Sequence, residues 1–154
     1  MIVADLPPLE QERIVCSISA SVAYGVPADI MLAIAEIEGG TPDTPDTKSV
    51  NQNRSSDYGY MQFNSAYLSD LSKKYGEDFE QLASSEGCYS FFLAAWRVGN
   101  HLKNDSGTVW QRAANYHSKT EKYNLIYQRK LINKARQWAN WLNLNYSLVK
   151  WSKK

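Results

Sequence analysis

Residues 27–40 read Pro27-Ala28-Asp29-Ile30-Met31-Leu32-Ala33-Ile34-Ala35-Glu36-Ile37-Glu38-Gly39-Gly40. Proline suits the first turn of a helix, where its missing N–H costs nothing, and Asp29 complements the positive helix N-terminus. Ile30, Leu32, Ala33, Ile34 and Ile37 supply an apolar side, and the Gly39-Gly40 pair supplies the stop. The stretch predicts a core helix whose last turn carries Glu38. Glu36, two residues earlier, points to a different face and is expected to be solvated.

The same signals recur on both sides. Leu9, Ile14, Ile18 and Val22 fall near helical spacing before Gly25. Asn64-Ser65 reads as the cap of a helix running to about Lys74, and a short helical turn is expected over residues 77–82. Cys88, Phe91, Phe92, Ala95, Val98 and Leu102 mark a core-facing helix that ends in the run 103–107. Thr108 can cap a helix through Ala114. A final helix from about Thr120 puts Tyr123, Tyr127, Leu131, Ala135, Trp138 and Leu142 on one face. Residues 39–58 form the single long irregular stretch, rich in Gly, Pro, Asp, Thr, Ser and Asn, with turn formers from Asn51 to Asp57 that suit a short hairpin. The reading is an all-α or α-dominated (α+β) fold in one domain over residues 1–154. Its core spans about 9–142, its basic tail about 143–154, and an irregular loop or short hairpin follows the helix that carries Glu38.

Composition narrows the function classes. The chain has 154 residues, 44% hydrophobic and 21% charged, which is ordinary for a globular protein that can bury a core. Five Trp and ten Tyr are many for this length; such residues build cores and also line sugar-binding clefts. The net charge of +1 hides an asymmetry. Residues 119–154 hold nine Lys/Arg and one acid, a charge of +8, so the rest of the chain carries −7. Without a DNA-binding motif this charge does not point to nucleic acid, and it reads as a solvated helix face with a basic tail or as an attractor for an anionic polymer. No apolar run is long enough for a membrane span. Met1 to Glu12 is acidic and proline-bearing, unlike a secretory signal peptide.

The chemistry is reached by elimination. There is no GxSxG elbow, no Gly-rich phosphate loop and no HExxH. Two cysteines without CxxC spacing, beside only His101 and His117, argue against a metal site, so neither metal nor cofactor is expected. Cys16 and Cys88 read as two buried thiols inside a cell, or as a disulfide if the protein is exported. Carboxylate chemistry remains. A carboxylic acid that protonates a glycosidic oxygen needs an apolar setting, and Glu38 at the end of an apolar helix beside two glycines has one. Asp57 is a possible second carboxylate, and an Asx-turn role competes with that reading.

The order of motifs adds to this. After Glu38 come Asp57-Tyr58-Gly59-Tyr60-Met61-Gln62-Phe63-Asn64-Ser65, then Cys88, Ala95-Trp96, and Ala114-Asn115-Tyr116-His117-Ser118. This succession resembles the lysozyme-like lytic transglycosylases, most closely the small members that accompany type IV secretion, conjugation, type III secretion or pilus assembly. The resemblance runs from about Cys16 to about Tyr127. It implies a peptidoglycan-cleaving enzyme of the periplasm or another extracytoplasmic site, partnered by glycan strands and by components of such a machine. It implies Glu38 as acid and then base, Gln62 on the cleft wall, Gly59 as the point of close backbone approach and Met61 beneath that turn. Tyr58 and Asn64 flank the same segment as substrate-side residues. Tyr116 is expected to place its hydroxyl near Glu38, and Tyr123 to stand on the cleft rim. The resemblance also implies a Cys16–Cys88 pair. Two positions depart from the family pattern: Gly39 stands where serine is commoner, and Tyr60 where leucine is. A hydrolytic muramidase and a wall-binding assembly protein without turnover are the alternative readings.

Overall fold

The computed structural model describes residues 11–39, 48–50, 56–58, 61, 63–76, 79 and 88–145, with side chains undescribed at 48–50, 56–58 and 64. In chain order it gives α1 (Gln11–Tyr24), α2 (Ala28–Glu38), β1 (Lys48–Val50), β2 (Ser56–Tyr58), β3 (Phe63–Asn64), α3 (Ser65–Tyr75), α4 (Tyr89–Asn104), α5 (Val109–Ala114) and α6 (Glu121–Asn145). The fold is α-dominated. Its helices fall within a few residues of the sequence boundaries because the capping signals are local. Thr108 accepts from the Gln111 N–H while the Gln111 side chain accepts from the Thr108 N–H, a closed capping box at the start of α5. Pro27 stands one position earlier than expected, at the N-cap of α2.

The three strands form one small antiparallel sheet in the order β1-β2-β3. Lys48 pairs with Tyr58 and Val50 with Ser56, so the irregular stretch after α2 carries a hairpin at its end. Asp57 pairs with Asn64 across β2 and β3. Of the short helix expected over 77–82, only Phe79 lies among the described residues, and the tail from 146 onward lies outside them.

α2 is the centre of the core. Six consecutive residues, Ile30 to Ala35, are at most 3% exposed, so the helix is covered on all sides and not along one stripe. α1 packs on one side and α6 on the other, and α1 packs in turn on α4. Each large apolar side chain buried this way contributes about 1.5–3 kcal/mol. Cys16 of α1 and Cys88 at the start of α4 form a disulfide, Cα atoms 5.0 Å apart, which pins α1 to α4. A disulfide suits an oxidising compartment. Among the described residues, no helix is long and apolar enough to cross a membrane.

The inward face of α6 is Asn124, Tyr127, Leu131, Ala135, Trp138 and Trp141, all buried. Tyr123 is 52% exposed, which corrects its placement on the core face. Steps of four residues drift about 40° per step around a helix, so a row counted back from Leu131 leaves the core by Tyr123. The buried row takes a three-residue step there, to Asn124.

Candidate active site

α2 ends at Glu38, and its stop explains one departure noted above. Gly39 is the left-handed cap of the helix, at φ +48°, with its N–H bonded to the Ala35 carbonyl. A Cβ at this position would meet the Glu36 carbonyl oxygen at 3.1 Å, so glycine is the residue this ending favours and a serine would be strained. The Glu38 side chain leaves the helix half-buried at the edge of the core.

The partner of that carboxyl group comes from α6. The Tyr127 hydroxyl donates to Glu38 Oε2 over 2.6 Å. Tyr127 is 3% exposed; burial first, and then the Glu38 carboxylate, push its hydroxyl well above the usual tyrosine range, so it stays protonated and remains a donor. The exposed ring of His117 lies parallel on the Tyr127 ring, centroids 4.7 Å apart. One α6 residue is therefore fixed at both its face and its tip.

Tyr116 lies beside this pair. Its hydroxyl donates to the Met61 carbonyl oxygen over 3.0 Å, and its ring meets Phe63 edge-on at 6.1 Å. It is close enough to Tyr127 to act on it electrostatically. Tyr116 thus ties the segment after β2 to the site, while Tyr127 supplies the 2.6 Å donor to Glu38. Met61 is fully buried. Gly59, Tyr60 and Gln62 lie outside the described residues, and the side chains of Asp57, Tyr58 and Asn64 lie outside them too. Tyr123 stands half exposed one turn from Tyr127.

Glu36 corrects a second expectation. Its carboxyl side chain is 7% exposed and paired: Lys134 Nζ lies 2.8 Å from Oε2, and Trp138 Nε1 donates to Oε1 over 3.0 Å. Glu36 and Glu38 are about 200° apart around α2, yet both reach α6, because that long helix runs past the end of α2 with its donors about three turns apart. The sequence carried a signal for these partners. Tyr127 and Trp138 stand in the row of α6 that faces the core, and a buried tyrosine or tryptophan needs a partner for its polar tip.

The turn that carries Tyr116 and His117 is held by an amide network. Asn115 Nδ2 donates to Asp105 Oδ2 over 2.8 Å, and Asn115 Oδ1 accepts from Asn124 Nδ2 over 2.8 Å. Asn124 also donates to the Ser118 carbonyl and accepts from Gln128. His101 Nδ1 lies 2.6 Å from Asp105 Oδ2. Burial holds His101 below its ordinary value despite the Asp105 contact, and Arg97 and Lys119 push it the same way. The imidazole is then neutral near pH 7, donating from Nδ1. Burial acts to raise Asp105, but donation from Asn115 and His101 brings it below its ordinary value.

Both shifts give stability the same pH slope. The unfolded chain protonates His101 before the folded chain does, so this contribution is full above about pH 6.5 and declines on acidification. The Asp105 contribution is full above its ordinary value and is lost as pH falls through the lower folded one. We expect the melting temperature to fall between about pH 7 and 5. His101→Gln should remove that slope, measured by thermal melts across the range. A slope unchanged in the variant would assign it elsewhere.

Among the described residues, no three His, Cys, Asp or Glu side chains converge as a metal-binding group. An apolar cavity of about 570 Å³ lies between α1, α3 and α4, walled by Tyr24, Leu71, Tyr75, Phe92 and Trp96. A second one of about 440 Å³, lined by Arg97, Asn100, His117 and Lys119 among others, lies between α3, α4 and the turn at 115–119. Compared with models of known protein families, the chain matches none, and a comparison with curated proteins gives no significant match.

Proposed function

We propose that the protein is a peptidoglycan lytic transglycosylase with Glu38 as its acid and base. The observation that carries this reading is a half-buried carboxyl group at the end of a core helix, gripped at one oxygen by a buried tyrosine hydroxyl. That arrangement orients a proton carrier, and the ordered segments from Glu38 to Ser118 supply the resemblance that names its substrate. Glu38 protonates the oxygen between N-acetylmuramic acid and N-acetylglucosamine, and the bond from that oxygen to the anomeric carbon breaks. The carboxylate then takes the proton of the muramyl 6-hydroxyl, whose oxygen bonds to the same carbon. The nucleophile belongs to the substrate and acts at high effective concentration, so one carboxyl group serves both proton transfers and no water is consumed. The disulfide supports an extracytoplasmic site of action, and the proposed setting is the periplasm, where local cleavage opens the wall for a secretion, conjugation or pilus machine.

The test is a digest of purified peptidoglycan analysed by mass spectrometry. Products ending in 1,6-anhydromuramic acid are expected. Reducing ends would mean that water attacks and the protein is a muramidase. No products, where a control enzyme works, would leave a wall-binding role.

Tyr127 is a positioning residue in this scheme, acting through Glu38. A hydrogen bond to a charged group contributes about 1.5–3 kcal/mol, so Tyr127→Phe should lower kcat by roughly ten- to a hundredfold. KM should stay nearly constant, since the ring and its packing remain. Initial rates on soluble glycan oligomers would show this, and a change confined to KM would place Tyr127 on the substrate side.

A further inference from the structure

The 440 Å³ cavity beside the candidate site is lined by the cation of Arg97. The Arg97 guanidinium lies against two aromatic rings, 4.1 Å from the Tyr67 centroid and 4.7 Å from that of Tyr116. Among the described residues, no carboxylate is paired with it. A half-buried guanidinium packed against aromatic faces has shed part of its hydration, and its planar fork suits a carboxylate. Lys119 adds a second charge at the rim, with its side chain 68% exposed and 3.8 Å from Asp105. Asp105 offers little compensation, since its other oxygen is occupied by His101 and Asn115.

The rest of the lining limits the ligand. The volume is far more than a lone anion fills and lies in the range of sites for organic ligands. Trp96 and Leu71 give apolar walls, and Asn100 gives an amide able to pair with a peptide unit. His117 belongs to this cavity and also stacks on Tyr127, whose hydroxyl holds Glu38. The cavity is therefore next to the structure that supports the candidate acid, within reach of a substituent on the same strand.

We propose that this cavity binds the carboxylate of a peptide substituent on the glycan strand, with Arg97 as its counter-ion and Lys119 reinforcing it from the rim. The source of the ligand rests on the function proposed above; the carboxylate preference rests on the cavity itself.

The experiment is calorimetric titration of the Glu38→Gln protein, which avoids turnover, with three probes: a disaccharide–tetrapeptide, the same compound with its carboxyl groups amidated, and the bare disaccharide. The acid form should bind about tenfold tighter than the amide, the scale of one charge-assisted pair. Adding Arg97→Gln should bring that ratio to about one, and Arg97→Lys should restore only part of it. If Arg97→Gln fails to fold, Lys119→Ala at its exposed position reports instead, with the ratio reduced about threefold. Equal binding of acid and amide, a ratio that survives the Arg97 substitutions, or no binding of any probe would overturn the proposal. Arg97-dependent binding of the acid form without binding of the bare disaccharide would keep the pocket and remove the glycan reading. Binding of the bare disaccharide with a ratio of one would do the reverse.

Discussion

Glu38→Gln should reduce glycan cleavage by about a thousandfold or more while leaving the fold intact. General acid–base catalysis by a positioned side chain is worth roughly 10²–10⁴ in rate, and here one group is asked to give a proton and then take one. Glutamine has the same length and keeps an oxygen that accepts from Tyr127, so the α2–α6 contact survives. What it lacks is a transferable proton. The measurement is the digest described above with the two proteins at equal concentration, alongside melting curves showing that both are folded. A variant that retained a tenth of the parent rate would remove Glu38 from the chemistry, and the carboxylate of Asp57 would be the next to replace. The lone acid in this scheme makes the test sharp, because no second described carboxyl group shares its bond to Tyr127.

Removal of the Cys16–Cys88 bridge should destabilise the fold by about 4 kcal/mol. The cysteines are 72 residues apart in sequence, and closing a loop of that length removes about this much conformational freedom from the unfolded chain. For a domain of this size the melting temperature should drop by roughly 8–16 °C. The double variant Cys16→Ala, Cys88→Ala measured by calorimetry, with the parent under strong reductant as a second route to the same state, gives the number. A loss below about 1 kcal/mol would mean that packing of α1 on α4 already orders this part of the unfolded chain. The bridge also bears on function through position. α1 covers one side of α2, so a loosened α1 would soften the support behind Glu38, and activity should fall before the protein melts.

Much of the fold was legible because its signals are local. Thr108 as a cap, Gly39 after Glu38, and the apolar spacing of α2 and α4 each depend on residues a few positions apart, and the structure follows them closely. The position of Glu38 at the end of a core helix was legible for the same reason. Its partner was not. Tyr116, Tyr123 and Tyr127 are three tyrosines within twelve residues, and it is the packing of α6 on α2 that brings Tyr127 within 2.6 Å of the carboxyl group. The misplacement of Tyr123 shows the limit of counting: a four-residue row drifts, and the face that is buried depends on which helix lies opposite.

Glu36 makes the division clear. By sequence it is an acid on the far side of a helix from Glu38, and a solvated role follows. In the structure Lys134 and Trp138 take both of its oxygens. Those partners are about a hundred residues away, and nothing local to α2 announces them. Helix boundaries, the apolar character of the central helix and the acid that closes it were legible from neighbouring residues, because capping, glycine stops and periodicity act over one or two turns. Assembly of the core settled which donors meet the two carboxyl groups, that Cys16 and Cys88 are joined, and that Arg97 packs against the rings of Tyr67 and Tyr116. Those outcomes depend on distances between helices, and such distances are set when the core is assembled.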